Sequence, residues 1–409
     1  MGDTACFSLL EPLSALSAEE WLALNSDEED FLFSPNPHDP NIKLPVPIEC
    51  LPVDFSLKTK AAAISSSSSV YFLVLNALFS PWKTTVALAK YVVQRCIMIP
   101  LYLGQSRICQ RFYPLLAPKT AAINGYHATQ RLQQAGFIVK HVVLERDGIR
   151  YSGLLIGHKT TITNGNWALQ ATGNACPIEL IYYRGQTAAE CVAHAYFNHA
   201  FNTLLINGPS VGRSQGHATP ESMGQTQELG IQFLATALKA KSLILAGHSL
   251  GGAAIGLAIN QHEFKPEITY MVIRQMTFDR ASHVCSCFAA TYISAKIEHF
   301  INWLVRWAGC EMDSVKASKK LKALGICEII IRASEDPIIS AQPSVYDAQL
   351  GETLKKEAVI PKDTPWIPIT SPNKNSNAGN KQLVTFEGGH NSGLCSISWV
   401  LSKFIKSRV

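Results

Sequence analysis

Residues 243–254, "LILAGHSLGGAA", set one hydroxyl among small neighbours. Leu243, Ile244, Leu245 and Ala246 form the short apolar run of a strand buried on both faces, and from Leu250 onward small and aliphatic residues suit a buried helix. The joint, Gly247-His248-Ser249-Leu250-Gly251, matches the G-x-S-x-G nucleophile elbow. In such a turn the serine takes a strained backbone angle that lifts its hydroxyl off the sheet. Gly247 and Gly251, two residues before and after, leave room for the turn to close. The chemistry this spacing suits is nucleophilic attack by Ser249 on an acyl carbon.

A serine hydroxyl needs a base to take its proton and a carboxylate to hold that base in the right tautomer. Two downstream strand ends supply both. "ASEDPIIS" places Asp336 just past a strand ending near Ala333, and "TFEGGHNSG" presents His390 past the last strand, after Gly388-Gly389. His248 is adjacent to the serine, so its side chain points away from it and suits a supporting core histidine. The backbone N–H of Leu250, following the nucleophile, is the expected first oxyanion donor.

The elements that must position these groups begin near Gly136. "FIVKHVVLERDGIRYSGLLIG" reads as two strands around the Asp147-Gly148 turn. Strand-like runs at 167–172, 203–207, 243–246, 269–278, 326–333 and 382–386 then alternate with helical ones at about 178–200 and 221–240. An opening hairpin followed by strand–helix units predicts a mostly parallel, doubly wound sheet with helices on both faces. Nearly fifty residues separate Phe278 from Ile326. There "ISAKIEHFINWLVRWAG" carries Ile297, Ile301, Leu304 and Val305 on one stripe, the place for a helical cap at about 283–322.

Residues 136–409 resemble an α/β hydrolase. Within that superfamily the chain resembles the chlamydial 43 kDa protein (CHLPS-type) family, on "TLLINGPSVGRSQG", "LILAGHSLGGAAIG", "FDRASH" and a polar, then uncharged, N-terminal region. The resemblance implies an α/β-hydrolase fold with a cap and a non-hydrolase N-terminal extension. The order Ser249, Asp336, His390 is that of the superfamily's triad. Asp279, which ends an earlier strand from which some relatives donate their acid, stays as the alternative to Asp336, and it also suits pairing with Arg280 or fixing its own loop. "TGNA" resembles the His-Gly-Asn-Ala turn of related hydrolases, which makes the backbone N–H of Asn174 the candidate second oxyanion donor. Thr172 replaces the customary histidine. "GPSVGRSQG" (208–216) lacks the Walker lysine pattern and reads as a loop beside the site, with Arg213 either structural or a contact to an acidic substrate group. No metal or organic cofactor is implied.

Composition frames these residues. The chain has 409 residues, 47% hydrophobic and 16% charged, with net charge +5. That balance hides an asymmetry: residues 1–43 carry nine acidic groups and one basic, whereas 55–144 carry ten Lys or Arg and no Asp or Glu. Five prolines between Pro35 and Pro47 make 1–57 read as a loosely structured arm with a short helix near 18–25. Residues 58–135 form a basic, apolar helical region. Its uncharged window 61–82 has the length to span a bilayer, although Ser65–Ser69 shorten the apolar core, and the run 86–103 reads as an amphipathic helix on a membrane surface or on the main domain. The first residues lack a standard signal peptide. Eleven cysteines without C-x-x-C spacing read as free thiols in a reducing compartment. The basic charges alternate with aliphatic rather than aromatic residues, unlike a nucleic-acid surface.

Two functional readings follow. One is a serine hydrolase of esterase, thioesterase, lipase or peptidase type acting on a small-molecule or lipid-like ester, membrane-associated and with no protein partner specified. The other is a weakly catalytic hydrolase-fold protein that serves as a membrane-associated binding or effector protein.

Overall fold

The computed structural model describes residues 31–36, 39–47, 55–57, 81–98, 127–173, 177–178, 181–183, 186–212, 214–333, 336, 359–360 and 381–386. Strands β1 (Phe31–Asn36) and β2 (Asp39–Pro47) pair antiparallel, and β3 (Phe55–Leu57) adds parallel to β4 (Phe137–Arg146). These three strands lie within residues 1–57. Pro35, Pro40, Pro45 and Pro47 lie in the two-stranded ribbon of β1 and β2, where every strand is an edge and need not donate every N–H. The short helix expected near 18–25 lies outside the described residues.

Strands β4 and β5 (Ile149–His158) pair from Phe137↔His158 to Arg146↔Ile149, joined by Asp147 (φ 54°) and Gly148 (φ 76°). Positive φ at both loop residues is the tight turn that matches strand twist. There follow β6 (Asn166–Ala171), the short pair β7 (Ile181–Tyr183) and β8 (Gln186–Thr187), β9 (Asn202–Ile206), β10 (Ser242–His248), β11 (Thr269–Gln275), β12 (Cys327–Ala333), β13 (Val359–Ile360) and β14 (Lys381–Phe386). The main sheet has the order β13-β14-β12-β11-β10-β6-β9-β5-β4-β3. Only β5 runs antiparallel to its neighbours β4 and β9. This is the α/β-hydrolase fold.

The order explains where a site forms. From β6 the chain crosses outward to β9, then returns past β6 to place β10 on its other side. Successive crossovers thus depart in opposite directions at the β6–β10 pair. Such a switch point leaves a crevice outside the carboxyl ends of the two strands.

Helices are α1 (Pro81–Met98), α2 (127–134), α3 (Ala188–Phe197), α4 (Pro220–Gln232), α5 (Leu250–Gln261), α6 (Ala281–Tyr292), α7 (Glu298–Trp307) and α8 (Ser314–Ala323). Helix α3 starts later than the apolar pattern suggests. Thr187 and Glu190 form a reciprocal capping box there, and the β-branched and aromatic residues of "IYY" pair as a strand instead. Beyond α4, Phe233–Ala237 continues as a π-helical turn. Strand β11 ends at Gln275, because Met276 has φ 43°.

Both faces of the sheet are covered, so its central strands alternate between two cores. Leu243 and Leu245 of β10 face one with Val272, Ile255 and Ile259; Ile244 and Ala246 face the other with Ile273, Ile329 and Tyr196. Each fully buried aliphatic side chain contributes about 1.5–3 kcal/mol. Between β11 and β12, α8 belongs to the body of the fold, since Ala317 and Leu321 join the first core beside α5. Helices α6 and α7 build a third cluster instead. Val305, Ala308 and Phe278 meet Ala253 and Ala254 of α5 and Met223 of α4. Helix α1 leans on the same cluster through Val93, with the Lys90 ammonium 5.6 Å from the Trp307 ring centre. No helix among the described residues is long and apolar enough to cross a membrane. The uncharged window lies outside them up to residue 80.

Candidate functional site

Ser249 sits between β10 and α5 with φ 53° and ψ −122°, a conformation costly for any residue with a side chain. Its neighbours hold it there from both sides. On the β11 side, the Ser249 N–H donates to the Gln275 carbonyl at 2.8 Å, and the Thr277 hydroxyl donates to the Ser249 carbonyl at 2.7 Å. Within the turn, a β-carbon on Gly247 would lie 2.5 Å from the Gly251 carbonyl oxygen. On the β6 side, a β-carbon on Gly251 would lie 2.5 Å from the Ala171 carbonyl oxygen and would also overlap that of Thr172. The spacing of glycines in the sequence is therefore a steric requirement of the turn. Thr277 also sits 2.7 Å from where a β-carbon of Gly252 would be, and no sequence signal marked it as a brace.

The loop after β6 runs along the elbow. A β-carbon on Gly173 would be 3.0 Å from His248 Nδ1 and 3.5 Å from Ser249 Cβ. His248 is buried, 5% exposed. Asn174, the next residue of that loop, lies outside the described residues. Beside the elbow opens a cleft lined by Gly173, Pro209, Met223, Gln227, Leu250 and Ala254 among others. The 208–216 loop contributes Gly208, Pro209 and Val211 to that lining and is tied down locally: Ser210 Oγ donates to the Gly216 carbonyl at 2.7 Å, and Ser214 Oγ to the Asn207 carbonyl at 2.8 Å. Arg213 lies outside the described residues.

Asp336 is half-buried just past the end of β12. Because β10, β11 and β12 are parallel, Ser249 and Asp336 share the carboxyl edge of the sheet, two strands apart. Strand β14 runs the same way and ends at Phe386 on that edge; His390 lies outside the described residues.

Asp279 is otherwise engaged. Its carboxylate accepts from the His283 Nδ1–H at 2.7 Å and from the Arg280 backbone N–H at 2.6 Å. Burial pushes its carboxyl above the usual range, opposed by His283 and by the Arg280 N–H. The Arg280 guanidinium turns instead toward Asp313, at 3.9 Å. Asp279 thus fixes the start of α6, and His283, half exposed at the other end of this pair, escaped notice in the sequence because a carboxylate and an imidazole four residues apart are common on helices. Burial pushes the Cys285 and Cys310 thiols up to about 11, which leaves them poor nucleophiles at neutral pH.

Solved structures similar to this chain include an esterase from Pyrococcus furiosus (15% identical, 68% of this chain and 90% of that one, TM-score 0.45) and an alpha-beta hydrolase from Vibrio vulnificus (13% identical, 70% and 86%, TM-score 0.48). Est1E from Butyrivibrio proteoclasticus, solved with ferulic acid bound, is 13% identical over 64% of this chain and 96% of its own (TM-score 0.40). No curated protein matches the sequence. The model of the family described as Chlamydia CHLPS protein (DUF818) matches residues 78–377, and the chain belongs to that family.

Proposed function

We propose that this protein is a serine hydrolase of esterase type, with residues 136–409 as its hydrolase domain. The observation that carries the reading is Ser249 in a strained turn at the β6–β10 switch point, braced by Thr277 and by two glycines that admit no side chain. Strain held by several independent contacts is characteristic of a functional position.

In this reading His390 takes the proton from Ser249 Oγ as the oxygen bonds to the ester carbonyl carbon. Asp336 holds the imidazole in the productive tautomer. The negative oxygen that forms is met by the N–H groups of Leu250 and Asn174. Collapse breaks the carbonyl carbon–alkoxy bond, and the departing alcohol takes the proton from His390. Water then attacks the acyl-enzyme by the same route, which releases the acid and restores Ser249. The test is turnover of p-nitrophenyl esters by the purified full chain. Ser249→Ala removes turnover, and Asp336→Asn lowers it by orders of magnitude, about 10⁴ in the best-characterised triad. Asp279→Asn has much the smaller effect; the reverse ranking puts the acid just past β11, at Asp279, and refutes the assignment of Asp336.

A second reading concerns attachment to membranes. Leu88, Tyr91 and Val92 of α1 are 50–61% exposed, and Phe300 and Trp303 of α7 are 56% and 54% exposed. They belong to two contacting helices, one of which lies in the stretch with ten basic and no acidic residues. Apolar burial together with attraction to anionic headgroups suits a peripheral anchor. Sedimentation with phosphatidylserine vesicles, lost in high salt, supports it; no sedimentation at low salt refutes it.

A further inference from the structure

We infer that the cleft beside Ser249 receives an acyl chain bearing a hydroxyl, and that the side-chain amide of Gln227 recognises that hydroxyl. The role of the bound group as the acyl part of a substrate rests on the hydrolase reading above; the recognition itself does not. Met223 and Gln227, one turn apart on α4, both line the cleft. Gln227 is 4% exposed, and its Oε1 is buried with no hydrogen-bond partner.

The surrounding walls explain why it has none. Met223, Ile206, Pro209, Ala218 and Ala254 offer no side-chain donor. The adjacent Glu228 is turned to a different network, accepting from Gln232 Nε2 at 2.8 Å and lying 3.2 Å from His262 Nδ1. Buried side-chain polar atoms in folded proteins are nearly all paired, so the orphan Gln227 Oε1, in a cleft whose one other polar side chain is Thr172 beside the elbow, marks the place where a ligand group completes the bond. The cleft extends to Gly173 and Leu250, which flank Ser249, so a chain esterified at the reacting carbon enters it directly. A hydroxyl both donates and accepts, and so satisfies either end of an amide. A plain alkyl chain leaves the amide unpaired, and sites built around a polar contact discriminate strongly against analogues that lack it.

The experiment compares p-nitrophenyl hexanoate with its 3-hydroxy and 5-hydroxy counterparts, using the full chain and Gln227→Leu. Leucine nearly conserves volume and removes the orphan polar atom, so the variant is expected to fold at least as well as the wild type. The wild type is expected to favour one hydroxylated ester in kcat/KM by at least about tenfold, and Gln227→Leu to abolish or reverse that preference. An unchanged ratio in Gln227→Leu overturns the inference and leaves the amide to a bound water. A second measurement is independent of turnover: calorimetric binding of methyl hexanoate and its hydroxylated counterparts to Ser249→Ala, with and without Gln227→Leu. Absent turnover with a hydroxyl preference that disappears in the double variant refutes the hydrolase reading and upholds the recognition. Equal binding of plain and hydroxylated esters refutes the recognition even if hydrolysis is observed.

Discussion

Gly251 stands directly against the end of β6: a β-carbon there would lie 2.5 Å from the Ala171 carbonyl oxygen and would also overlap that of Thr172. Both contacts are backbone and cannot rotate away. Gly251→Ala must therefore push the elbow and the loop after β6 apart, at a cost of about 1–3 kcal/mol. Thermal unfolding and ester turnover check this. A stable variant with full activity would show that the two segments are not closely apposed.

Ser249 pays in backbone strain for its position, so Ser249→Gly should relieve it. The expected change is a gain of about 1 kcal/mol in stability, part of the 1–3 kcal/mol that unusual backbone conformations cost, together with complete loss of turnover. Chemical denaturation of Ser249→Gly and Ser249→Ala separates the two effects, because alanine keeps the strain. Equal stability of the two variants would mean that the turn is unstrained.

Arg274 of β11 and Glu328 of β12 form a fully buried pair, Nε to Oε1 at 3.2 Å, in which Arg274 Nη1 also donates to the Ser314 carbonyl and the Ser318 hydroxyl to Glu328. Burial pushes the guanidinium downward, with Glu328 opposing. Glu328→Gln leaves that cation without its counter-charge and should destabilise the fold by about 3–5 kcal/mol. Replacing both residues by Met and Leu should cost much less. Denaturant midpoints for the single and double variants decide it.

Glu190 links the cap of α3 to α2 through a bidentate contact with Arg131, at 2.6 and 2.9 Å. Burial alone would push its carboxyl up; the Arg131 hydrogen bonds and the Thr187 N–H outweigh it and hold it below the usual range. A carboxyl depressed in the folded state stabilises above its unfolded value and loses that contribution as pH falls through the folded one. Between about pH 6 and pH 3, Glu190→Gln should thus lose less thermal stability than the wild type. Parallel losses would remove Glu190 as the acid-sensitive group.

Much of this arrangement was legible in the sequence, for identifiable reasons. Asp147-Gly148 can hardly do anything but close a hairpin, and "LILAGHSLGG" constrains strand, turn and helix at once, because the glycines answer a steric need within a few residues. The β7–β8 pair was missed since its apolar residues also fit the helical pattern of α3, and only the Thr187–Glu190 capping box sets the boundary. Thr277 and Gln227 could not be found from spacing. Their roles arise from contacts across the sheet and between helices distant in sequence, and nothing local distinguishes a bracing threonine or an orphan amide from an ordinary one.

The central claim is that Ser249 is an activated nucleophile, and covalent labelling tests it most directly. Native full-length protein is treated with a fluorophosphonate probe at neutral pH, and the modified peptide is mapped by mass spectrometry. The account predicts one adduct, on Ser249, absent in Ser249→Ala and after denaturation of the wild type before probe addition. Folded wild-type protein that stays unlabelled at Ser249, with Ser249→Ala indistinguishable from it, would contradict the account.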